Sequence, residues 1–416
     1  MAKLAIMTGR QSLHGSRRRK AAAAVFAACT VVATCLAAPP ASARDDPQFR
    51  AWVEKLWPSA SRAGVSRRTF DRAFRGVSPD PDVLSRAASQ LEFTRPLWEY
   101  LDITVSPSRV EAGRAKLAEH RRLLDRLEAR YGVDGTALLA VWGMESAYGF
   151  KLGDKPVIRS LATLAYRGKR RRFGRTQLIA ALQILERGDI SADRMMGSWA
   201  GAMGHTQFIP TSYKAYAVDF DGDGRRDVWG NVGDALASTA NYLKRSGWRS
   251  DQPCVEEVRL PQGFDYANAR LNTARSADTW ARAGVTRVDG KPMAGSASVL
   301  VWAPAGHGGP AFAVWRTNFR AVLAYNRSNL YAFAVCHLAS RIGGDGPPTR
   351  EWPLPSEQLA ELQRLLNARG FNAGEPDGRI GPRTRAALAA FQKRHGLAAD
   401  GYPTAAMLDR LRKSGG

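Results

Sequence analysis

The sequence predicts a mainly α-helical protein: a large helical domain interrupted by a small strand-bearing insertion, then a small three-helix C-terminal domain. Three observations carry this. Apolar residues recur at three- and four-residue spacing through most of the chain, as at Phe70, Ala73, Phe74 and Val77. Between residues 255 and 315 that spacing gives way to shorter, glycine-bearing runs, of which Ser298-Val299-Leu300-Val301-Trp302 is the most strand-like. Near residue 341 the composition changes to Gly343-Gly344-Asp345-Gly346-Pro347-Pro348 and then Trp352-Pro353-Leu354-Pro355, a stiff, polar connector. With 416 residues, 44% of them hydrophobic, the chain can bury a large core, and its length favours two or three domains.

Taken in order, residues 1–43 read as an export signal. Arg10 and Arg17 to Lys20 form a positive start, residues 21–38 an alanine-rich apolar stretch, and Ala41-Ser42-Ala43 a small-residue cleavage site. A retained membrane anchor is the competing reading, but that stretch is only weakly apolar, and no later one is long enough to span a bilayer. A lipid anchor at Cys29 or Cys35 is poorly supported by the flanking residues. Helical periodicity then covers residues 48–130, broken by Ser78-Pro79-Asp80-Pro81, and further helices are expected at 136–145, 175–187, 210–218, 234–246 and 319–340. Past the connector, Leu359, Leu362, Leu365 and Leu366 form one stripe, Ala387, Leu388 and Phe391 a second, and Met407, Leu408 and Leu411 a third. Between them Asp377-Gly378 recurs as Asp400-Gly401, each opening a helix. The expected division is a signal at 1–43, the main domain at 44–340, the connector at 341–356 and the last domain at 357–416.

Loss of the signal removes six Lys or Arg and no acid, lowering the net charge from +23 to +17 over the remaining 373 of 416 residues. So basic a chain would suit nucleic acid, but export argues against it and favours the anionic groups of a cell wall. The run from Arg167 to Arg175 reads as a solvated face. After the signal only Cys254 and Cys336 remain, and in an oxidising space the pair suggests one disulfide closing a long loop, with two buried thiols as the alternative.

The candidate for chemistry is Glu145 in Trp142-Gly143-Met144-Glu145-Ser146-Ala147-Tyr148-Gly149. On a helix it shares a face with Trp142, Val141 and Leu138, so its carboxyl should point at apolar side chains. Burial of that kind favours the protonated acid, which suits a proton donor near neutral pH. A structural glutamate bonded to backbone or to an arginine is the plainer alternative. A second segment, from Gly201 through Gly204-His205-Thr206-Gln207-Phe208-Ile209-Pro210 to Tyr213, gathers small residues, one amide and aromatics.

These two segments, with Asp219 to Trp229 and Tyr325-Asn326-Arg327-Ser328, resemble the lytic murein transglycosylase B family, glycoside hydrolase family 103, over residues 52–337. Residues 357–416 resemble a peptidoglycan-binding type 1 domain. The resemblance implies a lysozyme-like catalytic fold. It implies that Glu145 protonates the bridge oxygen between N-acetylmuramic acid and N-acetylglucosamine, then acts as base toward the muramic 6-hydroxyl, giving a 1,6-anhydro end. The substrate attacks itself, so no second carboxylate need activate water. Carried over residue by residue, Gln207 and Phe208 line central sugar subsites, Ser198 lies near the acid, and Tyr242, Tyr325 and Asn326 supply an aromatic wall and an amide. Flat apolar faces and amide or hydroxyl partners are what sugars require.

Asp219, Asp221, Asp223 and Asp227 stand at positions one, three, five and nine of a calcium-type loop, with Gly224 at six and the Arg225 carbonyl at seven. Gly230 occupies position twelve, where a bidentate glutamate is usual. The family uses a later aspartate, and Asp234 is its counterpart, so a structural Ca2+ is expected. The alternative is an acidic turn without metal. The six histidines show no zinc spacing, and Ser146 has no nucleophile elbow around it. The expected whole is a periplasmic monomer acting on peptidoglycan strands, with cell-wall synthesis proteins as further partners and no nucleic acid, nucleotide or permanent membrane span. An extracellular or lipid-anchored site is the weaker reading. A hydrolytic muramidase and a noncatalytic wall-binding protein are the competing functions.

Overall fold

Asp46 caps the first helix by accepting a hydrogen bond from the Phe49 amide, and Pro47 takes the first helical position, where a missing N–H costs nothing. The computed structural model describes residues 46–88, 96–397 and 399–413. The expected export signal, with Cys29 and Cys35, lies outside the described residues. The chain begins with α1 (Pro47–Arg62), α2 (Arg67–Phe74), α3 (Pro81–Ala88) and α4 (Leu97–Thr104). It continues through α5 (Pro107–Glu119), α6 (Arg121–Tyr131) and α7 (Gly135–Ser146). No helix among the described residues is long and apolar enough to cross a membrane.

Helix α7 has no polar face: Gly135 and every residue from Ala137 to Ser146 are buried. A helix apolar all round belongs inside a bundle, and α5, α6 and two later helices enclose it. Beyond it come β1 (Lys155–Pro156), α8 (Val157–Tyr166), α9 (Arg171–Arg187) and β2 (Met196–Gly197), which pairs antiparallel with β1. Next are α10 (Pro210–Tyr216) and α11 (Val232–Arg245), the latter capped by Asn231.

The strand-bearing insertion is a five-stranded antiparallel sheet. Its strands are β3 (Val255–Arg259), β4 (Ala274–Ser276), β5 (Thr286–Arg287), β6 (Ser298–Trp302) and β7 (Ala311–Trp315), in the order β4-β6-β7-β3-β5. A short α12 (Ala277–Arg282) lies between β4 and β5. Both faces of β6 are covered, which explains its unbroken apolar run. Val299 and Val301 meet Trp280, Ala313 and Trp315 in a core of their own, whereas Leu300, Phe312 and Val314 face the main helical core.

The single helix expected over 319–340 is two: α13 (Arg316–Tyr325) and α14 (Asn329–Ile342). Asn326 leaves helical geometry at φ −146°, and Ser328 starts α14 by accepting from the Tyr331 amide. Apolar periodicity ran on through this polar step and concealed it. Cys254, just before β3, is disulfide-bonded to Cys336 on α14, with Cα atoms 5.4 Å apart.

The C-terminal helices α15 (Ser356–Ala368), α16 (Pro382–Arg394) and α17 (Ala405–Lys413) pack Leu359, Leu362, Leu366, Leu388, Phe391 and Leu411 together. Its two Asp-Gly elements are held alike. Gln363 donates to Asp377 and accepts from the Gly378 amide, and Gln392 donates to Asp400 and accepts from the Gly401 amide. The connector is not a loose tether. Thr349 bonds Glu257, Trp352 stacks on Phe312 at 5.9 Å, and Arg385 of α16 donates to the carbonyls of Ala305 and His307.

Candidate active site

Glu145 ends the buried helix α7 and is itself only 7% exposed. Tyr331 Oη, from α14, donates to its Oε1 at 2.7 Å. Burial first, and the Glu145 charge second, hold the Tyr331 and Tyr325 phenols well above their ordinary range, so both are neutral donors. Tyr100 on α4 is raised for the same two reasons in the same order, although Arg109 partly opposes them.

The turn after Glu145 is tightly specified. Ala147 and Tyr148 are left-handed at φ 50° and 59°, and with Gln207 at 51° they are the only non-glycine residues of that kind among the described residues. All three flank the same place, and such backbone costs energy that a fold tolerates where geometry matters. Tyr148 folds back so closely over α7 that a Cβ at Gly143 would lie 2.6 Å from its ring, and a Cβ at Gly149 would lie 2.7 Å from the His205 imidazole. Ser146 Oγ donates to the His205 carbonyl at 2.6 Å and accepts from the Gly149 amide, so this hydroxyl is a clip between segments. Burial holds the His205 imidazole below its ordinary range, and its Nδ1 accepts from Trp142 Nε1 at 3.1 Å.

The segment of Ser198 to Phe208 is thereby clamped against α7. Ser198 is buried, and its Oγ accepts from the Ala202 amide in a small hairpin. Gln207 is wholly buried: its Nε2 donates to the carbonyls of Leu152 and Gly204, while its Oε1 has no protein partner. Thr206 Oγ1 and Asn326 Oδ1 are likewise buried without one. Buried acceptors of this kind are costly unless something donates to them.

Phe208 is also fully buried and shows no face to a ligand. It backs a cluster in which Tyr325 lies 5.8 Å and Tyr242 5.9 Å from it, ring to ring, with Tyr242 and Tyr325 4.9 Å apart. Tyr325 Oη donates to the Thr206 carbonyl, and Tyr242 Oη to that of Ala324 at 2.6 Å. Burial pushes the Tyr242 phenol up to about 12. The aromatic wall joins α11, α13 and the Gln207 segment.

Tyr331 escaped the sequence reading. On one continuous helix, six residues turn about 240°, so Tyr325 and Tyr331 would face apart. The Asn326–Ser328 break resets the phase. Polar Asn-Arg-Ser followed by an apolar run was the available signal for it.

The acidic loop brings Asp219, Asp221 and Asp223 together, with one oxygen of each within 4.8 Å of the others. Backbone amides orient them: Asp219 accepts from Gly222 and Gly224, Asp221 from Asp223, and Asp223 from Arg225. Three close carboxylates repel, and an all-oxygen set suits a hard divalent cation. Asp234 is not in that cluster, contrary to expectation. It is fully buried, and its two oxygens accept from the amides of Phe220 and Asp227 at 2.8 Å each, tying the loop to the start of α11. Burial pushes its carboxyl up to about 6 against those two bonds. Asp227 turns inward too, its Oδ1 accepting from Trp229 and Gly230.

Comparison with known proteins gives two family matches: a transglycosylase SLT domain over residues 48–340 and a putative peptidoglycan binding domain over 355–411. Membrane-bound lytic murein transglycosylase B of Escherichia coli K12 is 32% identical over 246 residues, which are 57% of this chain and 65% of that protein. The chain thus spans just under two thirds of that relative. Pseudomonas aeruginosa SltB3, solved in complex with NAG-anhNAM-pentapeptide, is 53% identical, covers 88% of this chain and 99% of its own, and superposes with a TM-score of 0.70. Escherichia coli Slt35, solved in complex with calcium, is 27% identical over 72% of this chain and 93% of its own, with a TM-score of 0.59.

Proposed function

This chain belongs to the transglycosylase SLT domain family, and from that premise we propose that it is an exported lytic transglycosylase of peptidoglycan with Glu145 as its acid and base. The observation that carries the reading is a carboxyl buried at the end of the central helix, hydrogen-bonded by Tyr331, on a segment clamped to Gln207 through His205 and Leu152. A departing sugar oxygen needs a proton donor, and the carboxylate left behind needs a hydrogen-bond donor of its own, which the Tyr331 phenol supplies.

In the proposed reaction Glu145 gives its proton to the oxygen of the MurNAc-β-1,4-GlcNAc bond. The C1–O bond breaks, GlcNAc leaves with a 4-hydroxyl, and an oxocarbenium-like centre forms at muramic C1. The Glu145 carboxylate then takes the proton of the muramic 6-hydroxyl, whose oxygen closes on C1. Glu145 is again protonated, no water is consumed, and the product ends in 1,6-anhydro-MurNAc. The attacking group is already part of the bound sugar, which gives a large effective concentration. The anhydro ligand named for the Pseudomonas relative supports this outcome over hydrolysis.

We assign Asn326 and Gln207, whose amide oxygens are buried, together with Tyr242 and Tyr325, to the wall and floor that shape the sugar site. Ser198 shapes the hairpin that carries Gln207. Asp219, Asp221 and Asp223, with the Arg225 carbonyl, are assigned to a structural calcium ion, a choice supported by the calcium complex of the Escherichia coli relative. The domain division is proposed as signal 1–43, catalytic domain 44–340, connector 341–356 and wall-binding module 357–416, the protein acting as a monomer in the periplasm. A docked module raises the local concentration of glycan at the catalytic domain.

Mass spectrometry of glycan fragments tests the reading. Anhydro ends are one water lighter than reducing ends, and Glu145→Gln should release neither. Reducing ends alone would establish a hydrolase instead, and unchanged release by the variant would remove Glu145 from the chemistry.

A further inference from the structure

We infer that Phe150 is a sugar-stacking residue of the glycan groove, an inference that rests on the assignment of Glu145 above. Among the described residues two large apolar side chains stand exposed, Phe150 at 85% and Ile103 at 44%. Phe150 lies on the turn that leaves the helix of Glu145. Ile103 follows Tyr100 by three residues on α4, and the Tyr100 phenol senses the Glu145 charge. Phe150 follows Glu145 by five residues.

A single exposed apolar side chain is ordinarily unremarkable. Phe150 differs in its mounting. Ala147, Tyr148 and Gly149 adopt three successive left-handed conformations, at φ 50°, 59° and 90°. The Phe150 amide donates to the Ala147 carbonyl at 3.3 Å, the Lys151 amide to the Ser146 carbonyl at 2.8 Å, and the Gly149 amide to Ser146 Oγ at 3.0 Å. Two residues on, the Leu152 carbonyl accepts from Gln207 Nε2 at 3.0 Å. One end of the turn is therefore fixed to the acid's helix and the other to the buried amide.

A rigid turn that spans the two ends of a catalytic site and holds an aromatic ring in solvent is preorganised for a flat apolar partner. The axial C–H face of an N-acetylhexosamine ring is such a partner. The continuity of the turn with Glu145 and Gln207 selects the glycan strand over a protein or a free peptide as its occupant.

The test uses the full-length protein and purified soluble glycan strands. Phe150→Ala should raise KM about five- to tenfold while kcat stays within about twofold, and Phe150→Trp should bring KM back to within about twofold of the parent. The thermal midpoint should not move, because the ring packs on little. Titration with the N-acetylglucosamine tetramer, followed by protein fluorescence, should show the same weakening independently of turnover. An unchanged KM and tetramer affinity in Phe150→Ala overturns the inference. So does a loss found in Lys151→Ala and not in Phe150→Ala, which would assign the turn to charge. If the parent cleaves strands and Glu145→Gln does not, a flat Phe150 series sinks the stacking role alone. If the parent cleaves nothing, the catalytic reading fails, and the tetramer titration still decides for or against stacking.

Discussion

Tyr331 Oη and Glu145 Oε1 stand 2.7 Å apart although 186 residues separate them in the chain. Both groups are buried, so neither can exchange its partner for bulk water without moving a helix. A hydrogen bond to a charged group contributes about 1.5–3 kcal/mol. Tyr331→Phe keeps the ring and removes the donor, and should lower kcat by about tenfold or more with KM nearly constant. Steady-state release of soluble fragments from murein measures this. A variant as fast as the parent would mean that the phenol neither orients the carboxyl nor stabilises its charge.

Glu145 stood out as a candidate because it closes the apolar run Ala140-Val141-Trp142-Gly143-Met144, but a structural glutamate was the plainer reading until the family resemblance was added. Family resemblance indicated Gln207, Tyr242, Tyr325 and Asn326 as further site residues. The burial of Phe208 was not legible: it reads as a sugar contact but is wholly buried against Tyr242 and Tyr325. The family resemblance implies Asp234 as a metal ligand, yet two backbone amides hold it. Tyr331 was hidden by a helix break of three residues. Period and composition report which face is apolar, whereas these details depend on contacts between residues far apart in sequence. The connector reads as stiff and polar by its Gly and Pro content, and only the contacts of Trp352 and Arg385 reveal that it is docked.

The Cys254–Cys336 bond crosses 82 residues and fastens the start of β3 to α14, the helix that bears Tyr331. A cross-link of that span restricts the unfolded chain by about 4.5 kcal/mol on the chain-entropy model. Cys254→Ala/Cys336→Ala should lower the unfolding free energy by an amount of that order. Denaturant titration with and without reductant measures it. The parent in reductant should match the double variant, and equal stability of all samples would deny the bond a structural role.

Calcium should act on stability rather than on turnover. The ion we assign to Asp219, Asp221 and Asp223 would relieve repulsion between them and fasten the loop to α11 through Asn231, which donates to Asp221 at 2.6 Å. A ligand at a hundredfold excess over its Kd stabilises by about 2.7 kcal/mol. Millimolar calcium should therefore raise the thermal midpoint of chelator-treated protein by a few degrees, with no such rise in Asp221→Asn. Initial rates at 25 °C should differ less than about twofold with and without the ion. A large loss of rate in chelator at that temperature would place calcium in the reaction itself.

His337 makes stability depend on pH. It lies on α14 against Phe312 and Phe333, with ring centroids at 6.1 and 5.8 Å, and burial, helped by the Arg341 charge, pushes its imidazole down to about 4. The unfolded chain would hold this proton with an ordinary affinity near 6.5. Between these values the unfolded state binds more protons than the folded one, so stability is fully present above about pH 6.5 and falls as the pH drops toward 4. Near pH 4.5 the loss from this one group should be about 2–3 kcal/mol. Urea titrations at pH 7.5 and 4.5 read the difference, and His337→Leu should lose less between the two than the parent does, whatever its stability at either. Parallel losses in parent and variant would show that the proton uptake on unfolding at acid pH belongs to other groups.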